Sequence, residues 1–140
     1  MSGEATILPD IADIRRAAER LDGLLFPTRL VESPALSQKS GGRLFFKPEV
    51  LQRTGTFKFR GAYNRIASLK PEERARGVVA FSSGNHAQGV AAAAAMFGIR
   101  AVIVMPSDAP AIKANNVRAM GAEIVPYDRF TEDREKVAEP

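Results

Sequence analysis

From residue 77 onward, short apolar runs alternate with stretches whose apolar residues recur at helical spacing. Gly77-Val78-Val79-Ala80-Phe81 reads as a buried strand, and Ser82-Ser83-Gly84-Asn85 as the turn after it. His86 to Phe97 follows as an alanine-rich helix stopped by Gly98. Ile99 to Met105 predicts a second strand, Ala111 to Met120 a second helix and Ala122 to Val125 a third strand, with another helix opening over Thr131 to Glu139. Strands alternating with helices in this way imply an α/β fold, a parallel sheet wound by right-handed crossovers.

The first half is less regular. Ile11, Ile14, Ala17, Ala18 and Leu21 recur at helical spacing between the start signals Pro9 and Asp10 and the stop Gly23. Proline and serine punctuate Pro27 to Gly42, which reads as a loop with a short extended piece. Arg43 to Lys47 predicts a strand. Thr56 is placed to cap a helix from Phe57 to about Leu69, with Pro71 marking its end. A parallel sheet wants helices on both faces, and the last helix has barely begun at Pro140 with no closing strand. The expectation is therefore part of a larger fold.

Composition narrows the class. Of the 140 residues, 45% are hydrophobic and 26% charged, the balance of a globular chain that forms one domain or parts of two. No apolar run approaches the roughly 18 residues of a membrane span, and Met1 to Pro9 does not resemble a signal peptide. No membrane partner is expected. The absence of cysteine excludes disulfides, a thiolate nucleophile and a cysteine metal site, and suits a reducing cytoplasm. The net charge of +4 invites an anionic partner. The positive residues are scattered, whereas a nucleic-acid module would cluster them among stacking aromatics. Phe45, Phe46, Phe57 and Phe59 near Lys47, Lys58 and Arg60 keep that alternative open.

Two places carry candidate chemistry. Open parallel sheets bind ligands beyond the carboxyl ends of their strands, and Ser82-Ser83-Gly84-Asn85-His86 sits at such an end while opening a helix. Its backbone N–H groups and helix dipole favour a carboxylate or phosphate. The plainer alternative is a helix cap made by Ser83 or Asn85, although four polar side chains around one glycine exceed what a cap needs. Lys58 falls in the first turn of its helix, where its charge opposes the dipole by about 0.3–1 kcal/mol. Flanking Phe57 and Phe59 would add desolvation, and a lysine whose neutral form is favoured suits imine chemistry. An exposed lysine with its stem over apolar surface explains the position equally. One histidine and no cysteine leave no zinc site of ordinary spacing, so no metal is expected. The dinucleotide glycine motif is absent.

Lys47-Pro48-Glu49-Val50-Leu51-Gln52-Arg53-Thr54-Gly55-Thr56-Phe57-Lys58-Phe59-Arg60-Gly61-Ala62 closely resembles the lysine motif of fold-type II pyridoxal-phosphate enzymes, and more narrowly their threonine dehydratase and serine racemase branch. Ser82-Ser83-Gly84-Asn85-His86-Ala87-Gln88-Gly89 resembles the branch's substrate and cofactor loop. A third match runs from Met105-Pro106 through Ala109-Pro110 and Lys113 to Gly121-Ala122-Glu123-Ile124-Val125.

The resemblance implies the tryptophan synthase β-like architecture, three layers α/β/α around a parallel sheet, with only the N-terminal part present. Residues 1–76 would open the large domain and 77–140 would form most of the small one. Lys58 would be the Schiff-base lysine and move the Cα proton. Phe57 would pack near the pyridine ring, and Asn85 would hydrogen-bond the cofactor's phenolic oxygen. Ser82, Ser83, Asn85 and His86 would hold the carboxylate of a small hydroxy-amino acid, with Ser83 as a second acid–base in racemases. Thr56 stands where many members have serine, which keeps the hydroxyl. The family's glycine-rich phosphate loop and the residue facing the pyridine nitrogen lie later than these residues, so the piece alone is expected to be inactive.

The activity implied for the intact protein is β-elimination of water from L-threonine or L-serine, yielding a 2-oxo acid and ammonia. The intact protein is expected to be a homo-oligomer with no nucleic-acid partner. A serine racemase or 3-hydroxyaspartate dehydratase is the alternative within the family. A non-catalytic anion- or nucleic-acid-binding α/β module is the alternative outside it.

Overall fold

The apolar runs of the second half pair as a three-stranded parallel sheet in the order β3–β4–β5, with β3 at Val78–Phe81, β4 at Ala101–Pro106 and β5 at Glu123–Tyr127. Ala80 aligns with Ile103, and Ile103 with Ile124. The chain crosses between strands through helices α5 (Asn85–Phe97) and α6 (Ala111–Ala119). These features come from a computed structural model that describes residues 8–139. Residues 1–7, part of the stretch read as unlike a signal peptide, lie outside it.

Alternation along β4 decides which side is core. Ala101, Ile103 and Met105 are buried in one cluster with Ala87, Val90, Ala91 and Ala94 of α5 and Val117 of α6. Helix α5 is apolar on nearly every side because it is covered on nearly every side, by the sheet, by α6 and by α3 (Lys58–Ala67). From α3, Phe59, Ala62 and Ile66 enter the same cluster. The core is thus continuous across residues 76 and 77. The opposite sheet face carries Val79, Val102, Val104 and Val125, and among the described residues the short helix α7 (Arg134–Ala138) lies against it.

Gly77 sets the entry to β3. Its φ is 86°, and a Cβ there would stand 2.6 Å from the Arg100 carbonyl oxygen, which accepts from Val78 N at 2.9 Å. Only glycine fits so close to the neighbouring strand.

In the first half, α1 (Ile11–Arg20) begins with a reciprocal cap, Asp13 N donating to Asp10 and Asp10 N to Asp13, both at 2.9 Å. Strands β1 (Val31–Glu32) and β2 (Phe45–Phe46) pair antiparallel, so the strand expected over Arg43–Lys47 shrinks to two residues. The loop expected over Pro27–Gly42 contains helix α2 (Pro34–Ser40), which requires a correction. Ser33 caps it, Pro34 opens it and Gly41, at φ 74°, closes it. Serine and proline read as breakers were start signals. Pro71 likewise opens α4 (Pro71–Ala75), whereas α3 ends earlier, at Ala67. Among the described residues no helix is long and apolar enough to cross a membrane.

Candidate active site

Lys58 opens α3 after a segment held at many points. Two short 3-10 turns, Glu49–Leu51 and Arg53–Gly55, fold it back on the chain before α2. The buried Gln52 amide clamps Phe26, accepting from its N–H at 3.0 Å and donating to its carbonyl at 2.9 Å. Arg53 donates to the Leu24 carbonyl and stacks 4.9 Å from the Phe26 ring centroid. Arg60, one half-turn beyond Lys58, grips Glu49 with two bonds of 2.6 and 2.7 Å. Glu49 also accepts from the Thr28 hydroxyl at 2.7 Å. The Arg60 guanidinium is the main reason its carboxyl is pulled down to about 2; the Thr28 bond helps and partial burial opposes. Thr54 occupies the left-handed region (φ 60°, ψ 14°), an unfavourable place for a β-branched residue, and its buried hydroxyl has no partner among the described residues.

This frame presents the lysine outward. Lys58 is exposed, with Nζ 5.0 Å from the Phe57 ring centroid. Phe57 is 58% exposed beside it, but Phe59 is wholly buried in the core. The expectation that both phenylalanines desolvate the lysine is corrected: neighbours on a helix point about 100° apart. The helix starts one residue later than expected, with Phe57 at the cap position and no side-chain cap bond, so Thr56 does not cap it; its hydroxyl instead accepts from Lys58 N at 3.3 Å.

The second loop leaves β3 and enters α5. Ser82 N extends the sheet to Val104 O at 3.0 Å, and its hydroxyl accepts from Gly84 N at 3.3 Å. Neither Ser83 nor Asn85 caps the helix, so the simple-cap alternative fails. The first-turn amides of Asn85, His86 and Ala87 have no partner among the described residues and remain free for an anion. The His86 imidazole is held below its ordinary range, chiefly by desolvation of the ring and then by the charge of nearby Lys58. Gly89 lets α5 lie against the backbone of Lys58 and Phe59.

Two concavities flank this loop. Gly55, Thr56, Phe57 and Asn85 help line a cleft of about 360 Å³ beside Lys58. Ser82 and Ser83 line another of about 370 Å³, bounded by Phe81, Pro106 and Tyr127, the last residues of all three strands. Phe57 and Asn85 therefore share one cleft and Ser82 and Ser83 the other, while Lys58 lines neither and reaches His86 only through its charge. Two further members had no signal in the sequence that marked them. Arg134 lines the strand-end crevice, 4.5 Å from the Phe81 ring, without a carboxylate partner among the described residues, whereas neighbouring Arg129 is paired with Asp108 at 2.7 Å. Lys113 Nζ donates to Asn85 Oδ1 at 3.3 Å. Each spans too many residues to leave a local pattern.

An accessible primary amine, an aromatic face beside it and a side-chain amide with its N–H groups unused fit the aldehyde and ring of pyridoxal phosphate. Comparison with known proteins agrees. A family model described as pyridoxal-phosphate dependent enzyme matches residues 21–139. An L-threo-3-hydroxyaspartate ammonia-lyase from a Pseudomonas species is 52% identical over 125 residues, 89% of this chain and 39% of that protein. An L-threonine ammonia-lyase from Thermotoga maritima is 52% identical over 115 residues, covering 82% of this chain and 29% of the relative. The structure of maize serine racemase superposes with a TM-score of 0.84 at 44% identity, over 92% of this chain and 39% of that one. The chain thus spans about two fifths or less of the length of these relatives. With its lysine, its loop and its parallel sheet all in the matched region, the chain belongs to the pyridoxal-phosphate dependent enzyme family.

Proposed function

We propose that the whole protein is an ammonia-lyase that eliminates water from a small β-hydroxy amino acid, L-threonine or L-serine, to give a 2-oxo acid and ammonia. The observation that carries this is the exposed Lys58 amine beside Phe57, whose ring lines a cleft together with Asn85, next to an uncapped helix start.

Each residue has a part that its chemistry permits. Lys58 holds the cofactor and afterwards takes the Cα proton on its freed amine. Phe57 offers a ring to the cofactor's flat face, and Asn85 Nδ2 donates to an oxygen on the pyridine ring. When bound, pyridoxal phosphate supplies an electron sink for charge developing at Cα. The free amides at the start of α5, with the Ser83 hydroxyl, receive the substrate carboxylate. Desolvation of the ring and the charge of nearby Lys58 disfavour ionisation of His86, so its neutral ring suits orienting a carboxylate through one N–H without adding charge beside Lys58. Ser82 acts one step back, since its hydroxyl shapes the turn at Gly84.

A second reading is favoured by one observation. Arg134 has no carboxylate partner among the described residues, yet it lines the crevice that holds Ser82 and Ser83. A guanidinium there suits a second carboxylate, so 3-hydroxyaspartate is the alternative substrate.

Borohydride reduction of the whole protein loaded with pyridoxal phosphate, followed by peptide mapping, tests the assignment. The label is expected on Lys58 alone. Label on Lys47 or Lys113, or no 2-oxo acid from threonine, serine or 3-hydroxyaspartate, would overturn it.

A further inference from the structure

Lys113 stands in the first turn of α6, where a cation opposes the helix dipole, and it has no carboxylate partner among the described residues. Its side chain is half-buried and ends against the turn that enters α5. There Nζ donates to Asn85 Oδ1 at 3.3 Å. Gly84 leaves that space open: a Cβ there would fall 2.8 Å from Nζ and 3.3 Å from Cδ, and the amine would have to shift. The helix that delivers it is seated independently. Asn116 Nδ2 donates to Gln88 Oε1 at 3.0 Å and Val117 is wholly buried, and positions 113, 116 and 117 share one helix face.

We infer that Lys113 is a positioning residue that fixes the Asn85 amide so that it can only donate toward the cofactor. An ammonium has three donors and no acceptor. It therefore accepts one of the two orientations of an amide, with Oδ1 toward itself and Nδ2 turned away. A phenolic or phenolate oxygen on a pyridine ring needs a donor from Asn85, so the wrong orientation would set two acceptors against each other. The ammonium also polarises the amide and strengthens its outward N–H. Gly84 completes the device by leaving room for the amine. The inference rests on the reading of Asn85 as a cofactor contact.

The test is a double-mutant cycle on the whole protein loaded with pyridoxal phosphate, read by the visible absorption band of the bound cofactor and by kcat/KM for threonine. Lys113→Met keeps the apolar stem and removes the donor. It is expected to shift the band and lower kcat/KM about tenfold or more, while Lys113→Arg, also donor-only, keeps most of both. In an Asn85→Ala background the same Lys113→Met change is expected to cost less than about twofold, because its target is gone. Asn85→Asp, which keeps Lys113 but cannot donate, should shift the band like Asn85→Ala. Losses that multiply across the cycle, or an unshifted band in Lys113→Met, would overturn the link. An unchanged band in Asn85→Ala alone would overturn the cofactor contact itself.

Discussion

Gly89 of α5 faces the main chain of Lys58 so closely that a Cβ would stand 3.1 Å from the Lys58 carbonyl carbon. The obstacle is backbone, which cannot swing aside as a side chain can. Glycine at this point brings the start of the helix bearing Asn85 and His86 down to the Lys58 backbone, so this packing and the proposed site depend on the same missing atom.

Gly89→Val should push the two helices apart. Overpacking of this kind costs about 1–3 kcal/mol, more than valine returns through its better helix propensity. Stability in denaturant is expected to fall, and kcat to fall with it as Lys58 leaves the Asn85 loop. A variant of unchanged midpoint and unchanged kcat would show that the contact is not tight.

Glu49 should make stability depend on acid. Its carboxyl is lowered from 4.5 to about 2, so the folded state binds the proton more weakly than the unfolded chain. The stabilisation is fully present above about pH 4.5 and drains away as pH falls toward 2. A shift of that size corresponds to on the order of 3 kcal/mol. Unfolding curves across this window should be steeper for the wild type than for Glu49→Gln, and parallel curves would contradict the ion pair's role.

Ser83→Ala separates two roles of one hydroxyl. If it only anchors the substrate carboxylate, the loss of one bond to a charged group, about 1.5–3 kcal/mol, should appear mainly in KM. If it also delivers a proton to the second face of Cα, racemisation should fall far more than elimination. Equal losses in both activities would exclude the second role.

Arg134→Gln addresses the choice of substrate. Its guanidinium stacks on Phe81 and is not neutralised by a carboxylate among the described residues, unlike that of Arg129. Should the crevice take a second carboxylate, kcat/KM for 3-hydroxyaspartate is expected to drop at least tenfold while that for threonine barely changes. Equal effects on both substrates would count against a dicarboxylate site.

Amino-acid order alone specified what is written in contiguous residues. The alternation after Gly77 specified the parallel α/β core, because a buried strand and an amphipathic helix each leave a periodic trace. The run around Lys58 and the turn from Ser82 to His86 stood out in the sequence as candidate chemistry, since each puts its polar groups on one stretch of chain. Helices α2 and α4 were not legible, because proline opens a helix as readily as it ends one and only the fold shows which. The face on which each side chain lies was also decided in three dimensions: Phe57 and Phe59 flank the same lysine, yet one is exposed and the other is core. Pairings between distant segments were settled only there as well. Lys113 meets Asn85 from 28 positions away, and Gly89 meets Lys58 across a helix crossing. Such contacts leave no periodicity in the chain, because what joins their members is the packing of α5 against its neighbours.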